Sequence, residues 1–331
     1  MTDYVAIANQ YIDDVLTGEI VACEFVKLAC QRQRNDLALE NFKYTFNEKL
    51  ANRVCKFIEL LPHTKGRWAR ERRLIELEPW QIFILTTVFG WVDEYGLRRF
   101  KTVYTEIPRK NGKSAISSGV GLYMLAADNE AGAEVYSAAT TRDQAAIVWK
   151  TAKSMVDKSP GMQSRFGVGT SSNSIFVEHN ESVFKPLSRD QGGNHDGYSV
   201  SCGIIDELHA HKTREIFDVI ETGTGSRDQP LLWAITTAGT NRAGICYEQR
   251  AYVIKLLNKV THDDEYFGII FTIDDDDDWT DPTVWEKANP NWGVSVSPED
   301  IERKARKAVE TPSAQNNFKT KHLNVWCNAN T

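Results

Sequence analysis

One short stretch restricts this chain more than any other. Lys101 to Ile107 (KTVYTEI) is rich in β-branched residues and stops at Pro108. Pro108-Arg109-Lys110-Asn111-Gly112-Lys113-Ser114 then leads into a helix pattern running from Ser114 to about Ala127. A strand that turns directly into a helix leaves unpaired backbone N–H groups facing outward, and anions bind well there. Gly112 lets the backbone approach a phosphate with no side chain between. Lys113 can reach the β- and γ-phosphates of a nucleotide, and the Ser114 hydroxyl suits Mg2+. The usual spacing opens with glycine, and Ile107 stands in that place. The bland alternative is a chance Gly-Lys-Ser in a surface loop.

The texture around this loop alternates between strands and helices. Glu134 to Thr140 reads as a strand and Arg142 to Val156 as a helix; Ser174 to His179 and Ser182 to Leu187 read as a hairpin around Asn180. Ser199 to Asp206, Leu231 to Thr237 and Tyr266 to Ile273 are further strands, with helices between them. Strands separated by helices predict a mostly parallel central sheet covered on both faces, an α/β P-loop nucleotide-hydrolase fold. Before it, a helical N-terminal extension (1–75) includes helical spacing from Ala22 to Gln31. Trp80 to Val92 opens the core (76–273) as a long apolar helix. The last part (274–331) is an acidic loop followed by a helix from Pro298 to Val309 and a linker.

Two acids end the buried run Ser201-Cys202-Gly203-Ile204-Ile205-Asp206-Glu207, at the strand end where open α/β sheets bind ligands. Asp206 is suited to hold Mg2+, and Glu207 to orient and activate the water that attacks a γ-phosphate. The next strand ends in Thr236-Thr237, whose hydroxyls can sense the γ-phosphate; a plain strand end with two β-branched residues is the alternative. Upstream, the Gln81 amide can donate to and accept from an adenine edge, unless Glu78-Pro79-Trp80-Gln81 is simply a helix start. The candidate ATP-binding set is therefore Gln81, Arg109, Lys110, Asn111, Gly112, Lys113 and Ser114. Arg109 can serve its own subunit only. A trans-acting arginine is sought among Arg189, Arg214 and Arg227, with Arg214 preferred because it starts the helix after Glu207-Leu208-His209-Ala210-His211. Its alternative is a surface arginine paired with Glu215 or Asp218.

Charge and cysteines exclude other classes. A formal net charge of -6 does not mark a nucleic-acid binder, so DNA contact would need local patches such as Lys65, Arg67, Arg70, Arg72 and Arg73, or a ring of subunits. A solvated helix face explains the same cluster equally simply. The 6 cysteines form no CxxC pair, against a zinc ribbon or a secreted disulfide scaffold. No apolar run is long enough to span a membrane. Asp274 to Asp278 is expected in a solvated loop, because adjacent aspartates diverge and make a poor metal site. Glu207-x-His209-x-His211 is a weak transition-metal pattern; histidines that hydrogen-bond or meet a neighbouring subunit fit it better.

PRKNGKS, IIDELHAHK and ETGTG-x-R-x-QPLLW-x-ITTAG together resemble the ATPase part of the large terminase subunit of tailed double-stranded DNA phages. The acidic stretch DDDDDWTDPTVWEKANPNWGVSVS and the closing KTKHLNVWCN are similar to that family as well. The resemblance covers nearly the whole chain and accommodates Ile107, since the family's loop lacks the first glycine. It implies the roles already given for Lys113, Ser114, Asp206 and Glu207. It further implies Arg109 against the phosphates, Gln81 on adenine, and Thr236 with Thr237 coupling hydrolysis to movement. It implies ATP and Mg2+, sequence-independent double-stranded DNA, a portal protein, a small terminase subunit and a homo-oligomeric ring, in the cytoplasm of an infected bacterium. The family's RNase-H-like nuclease domain is expected to be absent from this chain, and with it any nuclease activity. The rival readings are a helicase-like translocase, which would need a second lobe, and a nucleotide-binding structural module that does not hydrolyse.

Overall fold

The computed structural model describes residues 2–188 and 197–328. Three helices open the chain: α1 (Tyr4–Thr17), α2 (Glu24–Leu37) and α3 (Glu48–Ile58). Asp3 caps α1 by accepting from the Ala6 N–H, and Asn47 caps α3 by accepting from that of Leu50. α4 (Pro79–Gly90) follows and is buried almost all round, as its mostly apolar sequence requires. It packs against α1 and α3. These helices share one hydrophobic core with the sheet that comes next. Arg99 ties the two layers together. Its guanidinium is buried among Phe42, Tyr44, Trp91 and Phe100, and pairs with Asp36 of α2 at 2.9 Å.

Among the described residues eight strands form the central sheet. In chain order they are β1 (Thr102–Glu106), β2 (Glu134–Ala139), β3 (Val168–Thr170), β4 (Ile175–Val177), β5 (Ser182–Ser188), β6 (Cys202–Asp206), β7 (Leu231–Thr236) and β8 (Tyr266–Ile270). Their spatial order is β8-β1-β7-β6-β2-β5-β4-β3, parallel from β8 to β5 and antiparallel at the β5-β4-β3 edge. The α/β class expected from the sequence is what the chain adopts. Helices α5 (Lys113–Ala126), α6 (Arg142–Asp157), α7 (Glu215–Gly223) and α8 (Ile245–Leu257) connect the strands. Gly203 on β6 is there for close approach: a Cβ would fall 2.2 Å from Cγ2 of Ile220 on α7.

β8 ends earlier than the apolar run to Ile273 implied. Thr272 leaves the sheet to donate from Oγ1 to the carbonyls of Leu323 (3.2 Å) and Asn324 (3.1 Å). From Ile273 a second, smaller core forms around Trp285, Val296, Ile301, Phe318 and Leu323. It is built with α9 (Pro298–Glu310) and α10 (Pro312–Leu323). The aspartate run lies at its surface, with Asp275, Asp276 and Asp278 exposed. Lys287 Nζ sits 2.9 Å from both Asp274 and Asp277, which ties the loop to its own segment. The basic residues Lys65, Arg67, Arg70, Arg72 and Arg73 are all exposed, and Arg67 and Arg73 are paired with Glu71 and Glu76. No helix among the described residues is long and apolar enough to cross a membrane.

Candidate active site

The phosphate loop bridges β1 and α5, as its sequence requires. Gly112 caps α5 with a φ of 78° that L side chains avoid, and Lys110 also takes positive φ (72°). A non-glycine residue held there carries about 1–3 kcal/mol of strain, which its surroundings must offset. Ser295 does so in part, donating to the Lys110 carbonyl at 2.5 Å. Asn111 is fully buried beneath the loop. Its amide donates to Asn289 Oδ1 (3.0 Å), and its carbonyl oxygen accepts from the backbone N–H of Asn291 (3.0 Å). The Asn111 side chain is therefore scaffold, and what it offers a phosphate is its backbone N–H. Arg109 is exposed, and its backbone N–H donates to the Lys321 carbonyl at 3.0 Å.

Lys113 is buried in the middle of the site. Its Nζ donates to the carbonyls of Ile107 (3.3 Å) and Pro108 (3.4 Å) and lies 3.7 Å from Glu207 Oε1. Burial pushes its pKa down, opposed by the charges of Glu207 and Asp206. The Ser114 hydroxyl is half-buried at the start of α5. Gln81 is half of a capping box, its Oε1 accepting from the Glu78 N–H at 2.9 Å. It also stands beside the loop, since a Cβ at Gly112 would lie 3.5 Å from its Nε2.

The sheet order brings the remaining groups together. β7 lies between β1 and β6, with Thr236 level with Glu106 and Ile235 level with Asp206. Asp206 is buried, and burial together with the neighbouring Glu207 charge pushes its pKa up to about 6. Glu207 follows in the left-handed region, φ 52°. Burial would raise its carboxyl, but His209, Lys113 and Lys321 outweigh that and hold it at about 2. Glu207 is thus a firm carboxylate, whereas Asp206 is the more readily protonated of the two. Thr236 Oγ1 donates to the Thr237 carbonyl (2.8 Å) and accepts from the His209 N–H (3.0 Å).

Several of these groups escaped the sequence reading. Asn289, Asn291, Ser295 and Lys321 lie far along the chain, and no local signal joins them to the loop. His209 was expected to hydrogen-bond rather than to bind a metal, but its partners were not identified. Among the described residues no three His, Cys, Asp or Glu side chains are grouped to hold a metal ion. His211 is buried, which pushes its pKa down to about 4. Arg214 is exposed at the start of α7 and paired with Asp218 (2.8 Å) and Glu248 (3.2 Å). Arg227 is bonded to the carbonyls of Ser199 (3.0 Å) and Gly132 (2.7 Å), and so serves its own fold. Arg189 lies outside the described residues.

Known proteins share the fold and parts of the sequence. The model of the terminase large subunit ATPase domain matches residues 79–255. The model of the terminase large subunit endonuclease domain matches residues 260–331. This second match overturns the expectation that the chain carries no part of the nuclease domain. Protein YmfN of Escherichia coli strain K12 is 50% identical over 143 residues, covering 43% of this chain and 31% of that protein. The terminase large subunit of Enterobacteria phage HK97 is 28% identical over 221 residues, covering 66% of this chain and 43% of that protein. The crystal structure of the HK97 large terminase superposes with a TM-score of 0.71 at 26% identity, covering 83% of this chain and 55% of that one. The chain thus spans about half the length of these relatives or less. With the ATPase-domain model alone matching more than half of its residues, the chain belongs to the terminase large subunit family.

Proposed function

We propose that this chain hydrolyses ATP and uses the energy to move double-stranded DNA into a viral procapsid. The observation that carries the reading is Lys113 Nζ 3.7 Å from Glu207 Oε1, the phosphate loop facing an ionised carboxylate across β7. Backbone N–H groups from Lys110 to Ser114 would cradle the phosphates, and Lys113 would turn from the Ile107 and Pro108 carbonyls to the β- and γ-oxygens. Gln81 would use its free amide N–H on adenine, its oxygen being occupied by the cap. Ser114 and Asp206 offer the hard oxygen donors that Mg2+ prefers, and a cation there would keep Asp206 ionised. An ion held there would supply charge neutralisation at the β- and γ-phosphates. Glu207 would orient the attacking water and take its proton, and Thr236 with Thr237 would register loss of the γ-phosphate.

The working form in this reading is a ring of copies at the portal vertex of a procapsid, in the cytoplasm of an infected bacterium. Portal protein and small terminase subunit are its partners. DNA contact would be phosphate-directed, with the exposed cations Lys65, Arg70 and Arg72 as candidates. ATP turnover measured across protein concentration, with and without double-stranded DNA, tests this. Turnover per subunit should rise with concentration and with DNA of any sequence. Nucleotide binding without turnover under every condition would overturn it in favour of a structural module.

Arg214 is proposed as the arginine that completes a neighbouring copy's site. It is exposed, and its partners Asp218 and Glu248 are exposed as well, so an exchange of partners is cheap. Such an arginine contributes roughly 10³- to 10⁵-fold to turnover. Arg214→Ala and Lys113→Ala chains, each inactive alone, should recover part of the activity when mixed. No recovery at any ratio that assembles would remove Arg214 from this role.

A further inference from the structure

His209 stands between the catalytic carboxylate and the C-terminal segment. Its Nδ1 lies 3.1 Å from Glu207 Oε2 and 3.0 Å from Thr236 Oγ1. Its Nε2 lies 3.0 Å from Lys321 Nζ. Lys321 belongs to α10, within the 260–331 segment matched by the endonuclease-domain model. An ammonium only donates hydrogen bonds, so Nε2 must accept, and the proton of the neutral ring then sits on Nδ1. The Thr236 hydroxyl already donates to the Thr237 carbonyl and cannot also serve Nδ1 as donor. The Nδ1 proton therefore points to acceptors, and Glu207 is the charged one.

From these contacts we infer that His209 is a positioning residue for Glu207, and that Lys321 fixes the tautomer in which it can act. The inference rests on the proposed role of Glu207 in activating water. Glu207 leaves β6 through a left-handed backbone and carries a flexible side chain, so its carboxylate needs external support. Lys113 attracts one carboxylate oxygen now but must turn to the phosphates when ATP binds. His209 then remains on the other oxygen. Lys321 is itself located by the phosphate loop, through the Arg109 N–H to its carbonyl at 3.0 Å. A single residue of α10 thus touches the loop with its backbone and, through His209, the catalytic acid with its side chain. Hydrolysis, as distinct from nucleotide binding, then depends on α10 being docked.

The test uses the full chain, with kcat and KM for Mg·ATP and equilibrium binding of a fluorescent ADP. His209→Ala should lower kcat about ten- to a hundred-fold, the loss expected for one hydrogen bond to a charged group, with KM and ADP affinity within about two-fold. His209→Asn should recover most of that loss, because its amide N–H stands near the place of Nδ1 and needs no partner to fix a tautomer. Lys321→Met should lower kcat by a smaller factor in the wild-type background and have little effect in the His209→Asn background, a non-additive pair. Unchanged kcat in His209→Ala, or equal losses in the alanine and asparagine variants, would overturn the inference. So would a matching loss of ADP affinity. If His209→Ala does not fold, the Lys321→Met pair decides, with additive losses in the two backgrounds counting against the proposal. Glu207→Gln separates the two levels. Should it also retain turnover, the role of Glu207 falls; should it alone lose turnover, only the support by His209 falls.

Discussion

Lys113→Ala is expected to abolish ATP turnover, with kcat lowered on the order of 10³-fold, the scale of losing one preorganised charge donor. The fold should survive. Lys113 is a buried ammonium whose direct partners are two backbone carbonyls and a carboxylate 3.7 Å away, and burial already pushes its pKa down. Removing a poorly compensated buried charge costs little stability, and Glu207 keeps His209 as its nearest hydrogen-bond partner. The unfolding midpoint should therefore stay at the wild-type value or rise, while affinity for ATP falls about ten-fold or more. Steady-state phosphate release, with circular dichroism on the same sample, checks both halves. Turnover near the wild-type rate would remove the phosphate-loop assignment.

Glu207→Gln separates chemistry from binding. The glutamine keeps the shape and can still accept from His209, but it cannot take a proton. The lost carboxylate is held at about 2 by His209, Lys113 and Lys321 against its burial, so wild-type protein holds the base form at neutral pH. Loss of a general base costs about 10²- to 10⁴-fold, and kcat should fall by that factor. ATP affinity should hold within about three-fold or improve, since one negative charge near the γ-phosphate is gone. Filter binding of ATP alongside single-turnover hydrolysis reads the two separately. Equal losses of affinity and rate would make Glu207 a binding residue instead.

What the sequence disclosed is what local chemistry writes into it. The phosphate loop was legible because strand, turn and helix succeed one another within a few residues, and a glycine at positive φ sits where the turn demands it. Asp206 and Glu207 were legible as acids ending an apolar run. Their closeness to Lys113 was not, because it depends on β7 lying between β1 and β6, and chain order does not state spatial order. Helix α10 left almost no periodic signal, having buried residues only near its C-terminal end. Its contribution is made by Lys321 and His322 through long-range contacts that no spacing rule reaches. Arg214 was read as either a trans-acting group or a partner of Asp218, and the isolated chain shows the pairing. The pattern Glu207-x-His209-x-His211 was noticed, but the partner that gives His209 its meaning is over a hundred residues downstream.

The Asn111 hydrogen bonds have a consequence for inheritance. The loop around Asn111 lies 180 residues before part of its support, so a cassette ending where the ATPase match ends, at residue 255, would carry it without that support. Asn289 also donates to the carbonyls of Trp285 (2.9 Å) and His322 (2.8 Å), and Asn291 accepts from Trp80 at 2.7 Å. A graft that brings the loop without Asn289 takes the Oδ1 acceptor from the buried Asn111 amide and leaves it the carbonyls of Pro108 (3.3 Å) and Arg109 (3.2 Å), a loss of at most about 1–3 kcal/mol. Recombination that keeps this support is therefore expected to cross over before the loop or after residue 291, so that loop and asparagines descend together.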